Sequence, residues 1–482
     1  MSVLSGTEPV EVFRFFEEIS QIPRGSYNTK AVSDYCVRFA KERNLEVIQD
    51  SWNNIIIKKP GTAGYEDSEP VIIQGHLDMV CEKTPESTHD FTKDPLQLFI
   101  EDGFVKAKDT TLGADNGIAV AMALAILDST VIEHPPIEAL FTVDEEVGML
   151  GAAKIDMSLL KGKMLLNLDS EEEGNLIVGC AGGFRFTMNI PVSREVKEGA
   201  ALNVKICGLK GGHSGVEIDR QRGNANKLAG RLLDQICRNH DAAVTEINGG
   251  TKDNVISFMN NFQIVVSEAD RESVCEEIVR MKEIWKQEFG ADEPELDVQI
   301  QEAGTGTYRA FSEEAAKKVI FFLVNCPDGV YEFNRSLKNM VETSDNLGVV
   351  ETGEDYVKFM VLIRSSIGSK LDEMKNKFKN FAEYLDASYT IEGEYPGWEY
   401  KDVSRIRPIV VNAYEKVFGR KPEVLTIHAG LECGLLSGKN PELDCISYGP
   451  EMYDVHSFRE RLDIASAGRI WELTKEVLRR CR

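Results

Sequence analysis

The feature that most constrains the fold is a set of short, uninterrupted apolar segments that lead directly into acidic residues or a histidine. Val71–Ile73, Ala139–Val143 and Met164–Leu168 are of this kind. Strands that are apolar on both faces belong to parallel or mixed sheets lying between layers of helices. Gly117–Leu127 is also wholly apolar, but it is too short to span a bilayer and predicts a buried helix. We therefore predict an α/β domain with a mixed, largely parallel sheet covered by helices on both faces.

The pattern of polar and apolar residues changes twice along the chain. From about Phe184 to Tyr395 the strands alternate polar and apolar residues, and amphipathic helices lie among them. After Pro396 the pattern typical of an α/β domain returns. Because insertions are tolerated at exposed loops, we predict one α/β domain formed by residues 1–183 and 396–482, interrupted by an inserted α+β domain at 184–395.

Composition excludes several classes of function. The 482 residues include 55 Lys and Arg against 79 Asp and Glu, a formal charge of −24. Nucleic acids and anionic membrane surfaces both attract basic proteins, so we expect neither as a partner. The sequence shows no secretory signal, and its ten cysteines are scattered without a C-x-x-C pair. We expect a cytoplasmic protein that binds small or cationic ligands.

The first chemically informative motif is Gln-Gly-His-Leu-Asp, which follows the strand at Val71–Ile73. His76 and Asp78 are two residues apart, so in an extended chain their side chains share a face. Asp78 can then accept the second ring N–H of His76 and fix the tautomer that a metal ligand needs. The alternative interpretation of this motif alone is a satisfied core histidine.

Four further motifs place carboxylates or a histidine beside strands or helices of the same domain. Asp115 precedes the apolar helix, where it or Asn116 could instead be an N-cap. Three consecutive carboxylates end the strand at Ala139–Val143, which is costly unless they are solvated, capped or bound to cations. The candidate residues of these motifs are Asp115, Glu145, Glu146, Asp169 and His456.

Together these residues predict a catalytic metal site. Ligands of open α/β sheets bind beyond the carboxyl ends of the strands, where most of these motifs lie. Imidazole and carboxylate donors without clustered cysteines suit zinc, cobalt or manganese in an open site. Counting donors suggests two ions, with Asp115 bridging, His76 and Asp169 on one ion, and Glu146 and His456 on the other. Glu145 would remain free as a general base.

With its motifs in this order, the chain resembles the aminoacylase-like family of co-catalytic zinc metallopeptidases. The resemblance covers nearly the whole chain. It implies the same five ligands, with Asp115 bridging, an orienting role for Asp78 and a general base at Glu145. The matching motifs are His76–Asp78, Gly113–Gly117, Asp144–Gly148, Asn167–Glu172, Gly211–Gly215 and His456–Glu460.

The resemblance also assigns roles to the inserted domain, which would be the family's lid. It implies that His213 polarises the scissile carbonyl, that Arg364 grips the substrate carboxylate and that Asn254 occupies a comparable substrate-binding position. Taken alone, the loop around His213 could be a tight turn and Arg364 an exposed strand residue. No ligand role is predicted for His428–Gly434, which departs from the family's usual loop sequence.

The expected function is metal-dependent hydrolysis of unblocked dipeptides, Xaa-His dipeptides among them. Water activated by Glu145 is the expected nucleophile. Two divalent ions per subunit are expected, zinc in the first place, with cobalt or manganese as alternatives. A homodimer is expected from the resemblance, because relatives are often dimers through the lid. The alternative functions are an N-acyl-amino-acid deacylase of the same family and a non-catalytic peptide-binding homologue.

The three histidines outside these motifs, His89, His134 and His240, are predicted to be surface or turn residues away from carboxylates.

Overall fold

The computed structural model describes residues 3–482, which form two compact units. The first unit contains the described residues up to Cys180, together with Trp398–Thr426 and Leu431–Arg482. The second unit contains Ala181–Gly397 and the short loop Ile427–Gly430.

Within residues 3–482 the chain forms 21 strands and 11 α-helices. In chain order the strands are β1 (Glu46–Gln49), β2 (Ile55–Lys59), β3 (Val71–His76), β4 (Leu98–Glu101), β5 (Phe104–Ala107), β6 (Ile137–Thr142), β7 (Met164–Asn167), β8 (Asn175–Cys180), β9 (Gly182–Pro191), β10 (Arg194–Cys207), β11 (Ala242–Gly249), β12 (Asn260–Val266), β13 (Asp297–Phe311), β14 (Gly329–Phe333), β15 (Val341–Thr352), β16 (Tyr356–Ser365), β17 (Ser388–Tyr395), β18 (Glu423–Ile427), β19 (Asp444–Ser447), β20 (Met452–Tyr453) and β21 (Arg461–Asp463). The helices are α1 (Val10–Ser20), α2 (Lys30–Glu42), α3 (Ala114–Asp128), α4 (Leu150–Lys154), α5 (Ala225–Asn239), α6 (Arg271–Phe289), α7 (Glu313–Asn325), α8 (Gly368–Tyr384), α9 (Ile406–Phe418), α10 (Glu432–Lys439) and α11 (Ile464–Arg480).

The main sheet of the first unit has the strand order β1-β2-β6-β3-β7-β19-β8-β18. Its central strands β6, β3, β7 and β19 are parallel, whereas β1 pairs antiparallel with β2, β2 with β6, and β8 with β19. The predicted α/β fold with a mixed sheet is confirmed, and its parallel part is concentrated in the centre. In that centre the strands end together, since His76 pairs with Thr142 and Gln74 with Asn167.

Helix α3 is the buried helix that its apolar sequence predicts. Its residues from Asn116 to Leu127 are buried, and it packs against α1 and β3. A Cβ atom on Gly75 would lie 2.5 Å from Oδ1 of Asn116 and 2.8 Å from Cβ of Ala119. Glycine before His76 therefore lets strand β3 lie directly against the helix that carries Asp115.

The second unit is built on a nine-stranded sheet with the order β13-β10-β12-β11-β15-β16-β9-β17, in which β14 pairs with β15. Neighbouring strands are antiparallel, and helices α5 to α8 contribute apolar side chains to its core. In the register of three adjacent strands, Arg364 lies between Ser344 and Gly183. Cross-strand partners share a face, so these three positions lie on the same side of the sheet.

Among residues 3–482, no helix combines the length and apolarity required to cross a bilayer.

Candidate metal centre

Three neighbouring strands of the first unit deliver the predicted ligands to one edge of the sheet. Strand β3 ends at His76, β6 ends three residues before Glu145, and β7 ends two residues before Asp169. Because these strands are parallel, their carboxyl ends lie on the same edge. The chemistry-bearing residues are therefore brought together by the sheet order β6-β3-β7 rather than by closeness in sequence.

Asp115 lies between the two histidines. Its Oδ1 is 3.1 Å from Nε2 of His76, and its Oδ2 is 3.1 Å from Nε2 of His456. His76 Nε2 also lies 3.5 Å from Oδ1 of Asp169, and His456 Nε2 lies 2.9 Å from Oε2 of Glu146. Each oxygen of Asp115 thus faces a different histidine, which is the arrangement that a bridging carboxylate requires.

The donor atoms fit divalent cations. One ligand atom from each of His76, Asp115 and Glu146 lies within 4.8 Å of the other two, so these residues could hold a metal ion. Two donors that each bind zinc at ~2.1 Å in tetrahedral geometry lie about 3.4 Å apart, close to the separations observed. The second oxygen of Glu146, Oε1, is buried and has no hydrogen-bond partner among the described residues. A cation would satisfy it.

The electrostatics of the group favour positive charge. Hydrogen bonds to Asp115 and Glu146 raise the pKa of His456 to about 11. Burial alone would lower the pKa of His76, but its contacts with Asp115, Asp169 and Asp78 outweigh burial and raise it well above the ordinary value. For Asp115, burial is outweighed by the two histidines, so its pKa is lowered. An excess of carboxylates around two imidazoles is a suitable environment for divalent ions.

Glu145 differs from the other carboxylates in the group. Burial raises its pKa well above the ordinary value; His76 opposes this shift, whereas Asp169, Glu432 and Glu146 add to it. A buried carboxyl group whose pKa is raised is suited to accept and return a proton.

Asp78 connects several parts of the site. It is fully buried, and its Oδ1 accepts the main-chain N–H of Glu145 at 3.0 Å. Its Oδ2 accepts the N–H of Glu146 at 3.3 Å and the hydroxyl of Ser26 at 2.9 Å. Nδ1 of His76 lies 3.2 Å from the main-chain oxygen of Asp78 and 3.4 Å from its Oδ1. The ring is therefore oriented by both the carbonyl and the carboxylate of Asp78.

The N-cap interpretation of Asp115 and Asn116 is wrong. Asp115 and Asn116 have non-helical backbone angles at the start of α3, but the hydrogen bonds of their side chains go to His76, His456 and Leu168 rather than to N–H groups of the helix. The side chain of Asn116 instead accepts the N–H of His76 at 3.2 Å and donates to the carbonyl of Leu168 at 2.8 Å. Asn116 thus ties the ends of β3 and β7 together, because its amide can donate and accept at once.

His213, Asn254 and Arg364 belong to the second unit. Nδ1 of His213 accepts the main-chain N–H groups of Gly215 at 3.1 Å and Val216 at 3.2 Å. This assigns the ring proton to Nε2, which is left as a donor. The carbonyl of Asn254 accepts the N–H of Ser214 at 2.9 Å, so the two loops lie side by side.

Arg364 is buried, so the interpretation of it as an exposed strand residue is wrong. Its Nη1 donates to the hydroxyl of Tyr395 at 3.0 Å. Its Nε is buried and has no hydrogen-bond partner among residues 3–482. A buried guanidinium group with an unused N–H donor is suited to bind a carboxylate.

His428 is a polar residue of the second unit to which the sequence assigned no role. Its Nε2 lies 2.7 Å from the hydroxyl oxygen of Ser344, which pairs with Arg364 in the sheet. Burial and the charge of Arg364 lower the pKa of His428 to about 3, so the ring is neutral at physiological pH. The signal that could have indicated this contact is the buried polar run at 342–346, which is unusual in a strand.

For two of the histidines outside the motifs, the prediction of surface or turn residues away from carboxylates is wrong in one respect each. His134 is fully buried, with Nδ1 2.7 Å from the carbonyl oxygen of Pro135. His240 lies 2.7 Å from a carboxylate oxygen of Glu277. The partner of His240 is 37 positions away, so that contact is not visible in the local sequence.

Comparison with known proteins gives consistent findings. A family model described as peptidase family M20/M25/M40 matches residues 72–480. The chain is 39% identical over 482 residues to the cytosol non-specific dipeptidase of Escherichia coli K12, with 99% of each chain covered. The crystal structure of aminoacylhistidine dipeptidase from Vibrio alginolyticus matches with a TM-score of 0.94 and 38% identity, covering 98% of this chain and 97% of that one. Aminopeptidase PepT from Bacillus cereus, at 17% identity and a TM-score of 0.55 with 98% of each chain covered, shares the fold.

Proposed function

Because the chain belongs to peptidase family M20/M25/M40, we propose that it is a metal-dependent dipeptidase that hydrolyses unblocked dipeptides, Xaa-His dipeptides among them. The observation that carries the proposal is the convergence of His76, Asp115 and Glu146 on one point, with Glu145 beside them. The names of the two relatives that align along almost the whole chain support the choice of substrate.

We assign the ligands as the donor contacts suggest. Asp115 would bridge two divalent ions, His76 and Asp169 would hold one ion, and Glu146 and His456 would hold the other, since these side chains already contact one another. When bound, such a pair of ions lowers the pKa of water and stabilises the negative charge that develops on the scissile carbonyl oxygen. Zinc is proposed as the resident metal, with cobalt and manganese as the alternatives to be measured.

Glu145 is the proposed general base. It takes a proton from the attacking water and returns it to the leaving amine, which requires a carboxyl group that is poised between its two protonation states. Burial and the neighbouring carboxylates move the pKa of Glu145 in the required direction. Asp78 is proposed as the residue that orients both His76 and the segment that carries Glu145.

The second unit is the proposed lid, and its polar residues are proposed to bind substrate. Nε2 of His213 carries the proton that would be donated to the scissile carbonyl oxygen, since Nδ1 accepts main-chain N–H groups. Arg364, whose Nε is buried without a partner among the described residues, would hold the carboxylate of the substrate. Asn254 is proposed as a further substrate contact on the neighbouring loop.

We propose a length limit from the chemistry of the two groups. An acidic metal site attracts a free amine, a buried guanidinium such as that of Arg364 suits a free carboxylate, and an unblocked dipeptide carries both groups close together. The test is to compare dipeptides, dipeptide amides, tripeptides and N-acylated amino acids with zinc, cobalt or manganese added. Equal turnover of long peptides would contradict the length limit, and preference for acylated substrates would select a deacylase.

A catalytic role is tested directly at Glu145. Glu145→Ala should lower kcat by about 10²–10⁴-fold, because it removes the proton acceptor. The variant should still bind metal, since Glu145 is not an assigned ligand; metal content is therefore the matched control. A fully active variant would contradict the assignment of the base, and an inactive wild-type protein would favour a non-catalytic peptide-binding homologue.

The same proposal includes a cytoplasmic location, a homodimer and the absence of nucleic-acid or membrane partners. The net charge of −24 supports the last point, and the name of the relative from Escherichia coli supports the first. Light scattering of the purified protein tests the dimer.

A further inference from the structure

The segment that carries Asp115 is bound by a single buried carboxylate from the far end of the sequence. Glu460, 3% exposed, accepts four consecutive main-chain N–H groups. Its Oε2 accepts those of Leu112 at 2.7 Å and Gly113 at 2.9 Å. Its Oε1 accepts those of Ala114 at 2.8 Å and Asp115 at 3.3 Å.

A buried arginine holds the same segment from its carbonyl side. Arg24 is 2% exposed, and its Nη2 donates to the carbonyl of Gly113. Its Nη1 donates to the carbonyls of Leu77 and Asp78, each at 3.0 Å. Arg24 therefore connects the Asp115 segment with the chain that directly follows His76.

The backbone at this point is shaped around the two charged groups. Gly113 has a φ of +65°, and a Cβ atom there would lie 2.6 Å from Nη2 of Arg24. A Cβ atom on Gly117 would meet the same nitrogen at 2.6 Å. Any larger residue at these two positions would displace the guanidinium, so both glycines are required by the close approach of Arg24.

We propose that Glu460 and Arg24 are positioning residues that fix the backbone of Asp115, the residue that would bridge the two metal ions. Neither residue touches the reacting atoms. Glu460 holds the four N–H groups at the start of α3, and Arg24 fixes that segment relative to His76 and Asp78. The inference rests on the proposed function only in taking Asp115 as the bridging ligand.

The test compares two buried glutamates that accept main-chain N–H groups. In Glu460→Gln the amide keeps one oxygen, so two of the four N–H groups face an NH₂ group instead of an acceptor. The control is Glu138→Gln: Glu138 is also 3% exposed and accepts the N–H groups of Lys161 and Gly162. Glu138 precedes Thr142 by four residues, about 13 Å along the strand from the site.

Metal affinity is measured by titrating the metal-free proteins with Co²⁺ and following the visible absorption. Glu460→Gln is expected to weaken both ion-binding steps by about 10–100-fold, because a bridging ligand serves both ions. Glu138→Gln should bind Co²⁺ like the wild type even if its unfolding temperature falls. General destabilisation leaves the affinity of a folded protein unchanged, so the affinity readout separates positioning from a merely structural role.

Arg24→Lys is the second variant, and it tests the proposed positioning role if Glu460→Gln does not fold. Lysine keeps the charge but cannot reach three carbonyls in two directions, so a smaller loss of affinity in both steps is expected. Wild-type Co²⁺ affinity in the folded variants, or equal losses in Glu460→Gln and Glu138→Gln, would overturn the inference. A wild-type protein that binds no Co²⁺ would instead overturn the proposed function.

Discussion

Asp78 makes contacts from which the effect of a single substitution can be worked out. Its two oxygens accept the N–H groups of Glu145 and Glu146 and the hydroxyl of Ser26. Asp78→Asn keeps the shape of the side chain but replaces one oxygen by an NH₂ group. If the remaining oxygen stays near Glu145, the NH₂ group faces the N–H of Glu146, and the reverse orientation leaves Glu145 unpaired. One buried N–H group therefore loses its acceptor in either orientation.

The expected magnitude follows from that count. Leaving one buried donor unsatisfied costs about 1–3 kcal/mol, which corresponds to roughly 5- to 150-fold when 1.4 kcal/mol is a factor of ten. Because the loss falls on the segment that carries Glu145 and Glu146, we expect it in both kcat and metal affinity. The assay is dipeptide hydrolysis at saturating substrate and metal, with a separate metal titration.

The matched control is Ser26→Ala, which removes the hydroxyl donor and leaves both main-chain N–H groups paired with Asp78. Its effect on kcat and metal affinity should be clearly smaller than that of Asp78→Asn. If Asp78→Asn changes both quantities by less than about twofold, far below the usual cost of losing such a partner, the positioning argument for Asp78 is refuted.

Three further outcomes are expected. Asp345→Asn should raise the free energy of unfolding at pH 7 by about 1.4 kcal/mol for each unit by which the folded structure raises the pKa of this group, because it removes a carboxylate whose two oxygens are buried without a partner among the described residues. Burial raises the pKa of Asp345, so the folded state is destabilised as pH rises and this carboxyl group tends to ionise. The stability gain of Asp345→Asn should therefore vanish below about pH 4. Equal urea midpoints of the variant and the wild type at pH 7 would contradict this prediction. The pKa of His428 is lowered to about 3, so the unfolded chain binds more protons than the folded one between that value and about pH 6.5, and stability is lost as pH falls through this window. In His428→Gln the free energy of unfolding should depend less steeply on pH in this window. An unchanged slope would show that His428 does not have the lowered pKa. Chelation of bound metal should abolish dipeptide hydrolysis and lower the unfolding temperature, and both should recover when zinc, cobalt or manganese is restored; activity that survives complete metal removal would count against the proposed mechanism.

The edge of the sheet at which the site lies could be predicted because it depends on a local pattern. Apolar segments that end in His76, Glu145 or Asp169 give both the strand and the polar residue that follows it. Since parallel strands end at the same edge, the sequence is sufficient to group these residues. The family resemblance is confirmed for the same reason, because it depends on motifs at the ends of these elements.

The residues that support the site could not be predicted, because their partners are distant in the chain. Glu460 binds Asp115 across 345 positions, and nothing in the sequence around Glu460 identifies its partner. Asn116 satisfies the usual pattern of an N-cap, yet tertiary contacts with His76 and Leu168 determine its conformation. The antiparallel pairing of β1 with β2, β2 with β6 and β8 with β19 could not be predicted either, because an apolar pattern does not give the direction of a strand. Burial can be inferred from a pattern, whereas hydrogen-bond partners depend on the folded backbone.

The loop Ile427–Gly430 has a practical consequence for dissecting the protein. It belongs to the second unit, although the chain immediately before and after it belongs to the first. A recombinant fragment cut at 181 and 397 would lack His428, and the hydroxyl of Ser344 would lose that hydrogen-bond partner. Anyone who expresses this half separately should supply the missing tetrapeptide, for example by grafting it through a flexible tether, before judging whether the half is autonomous.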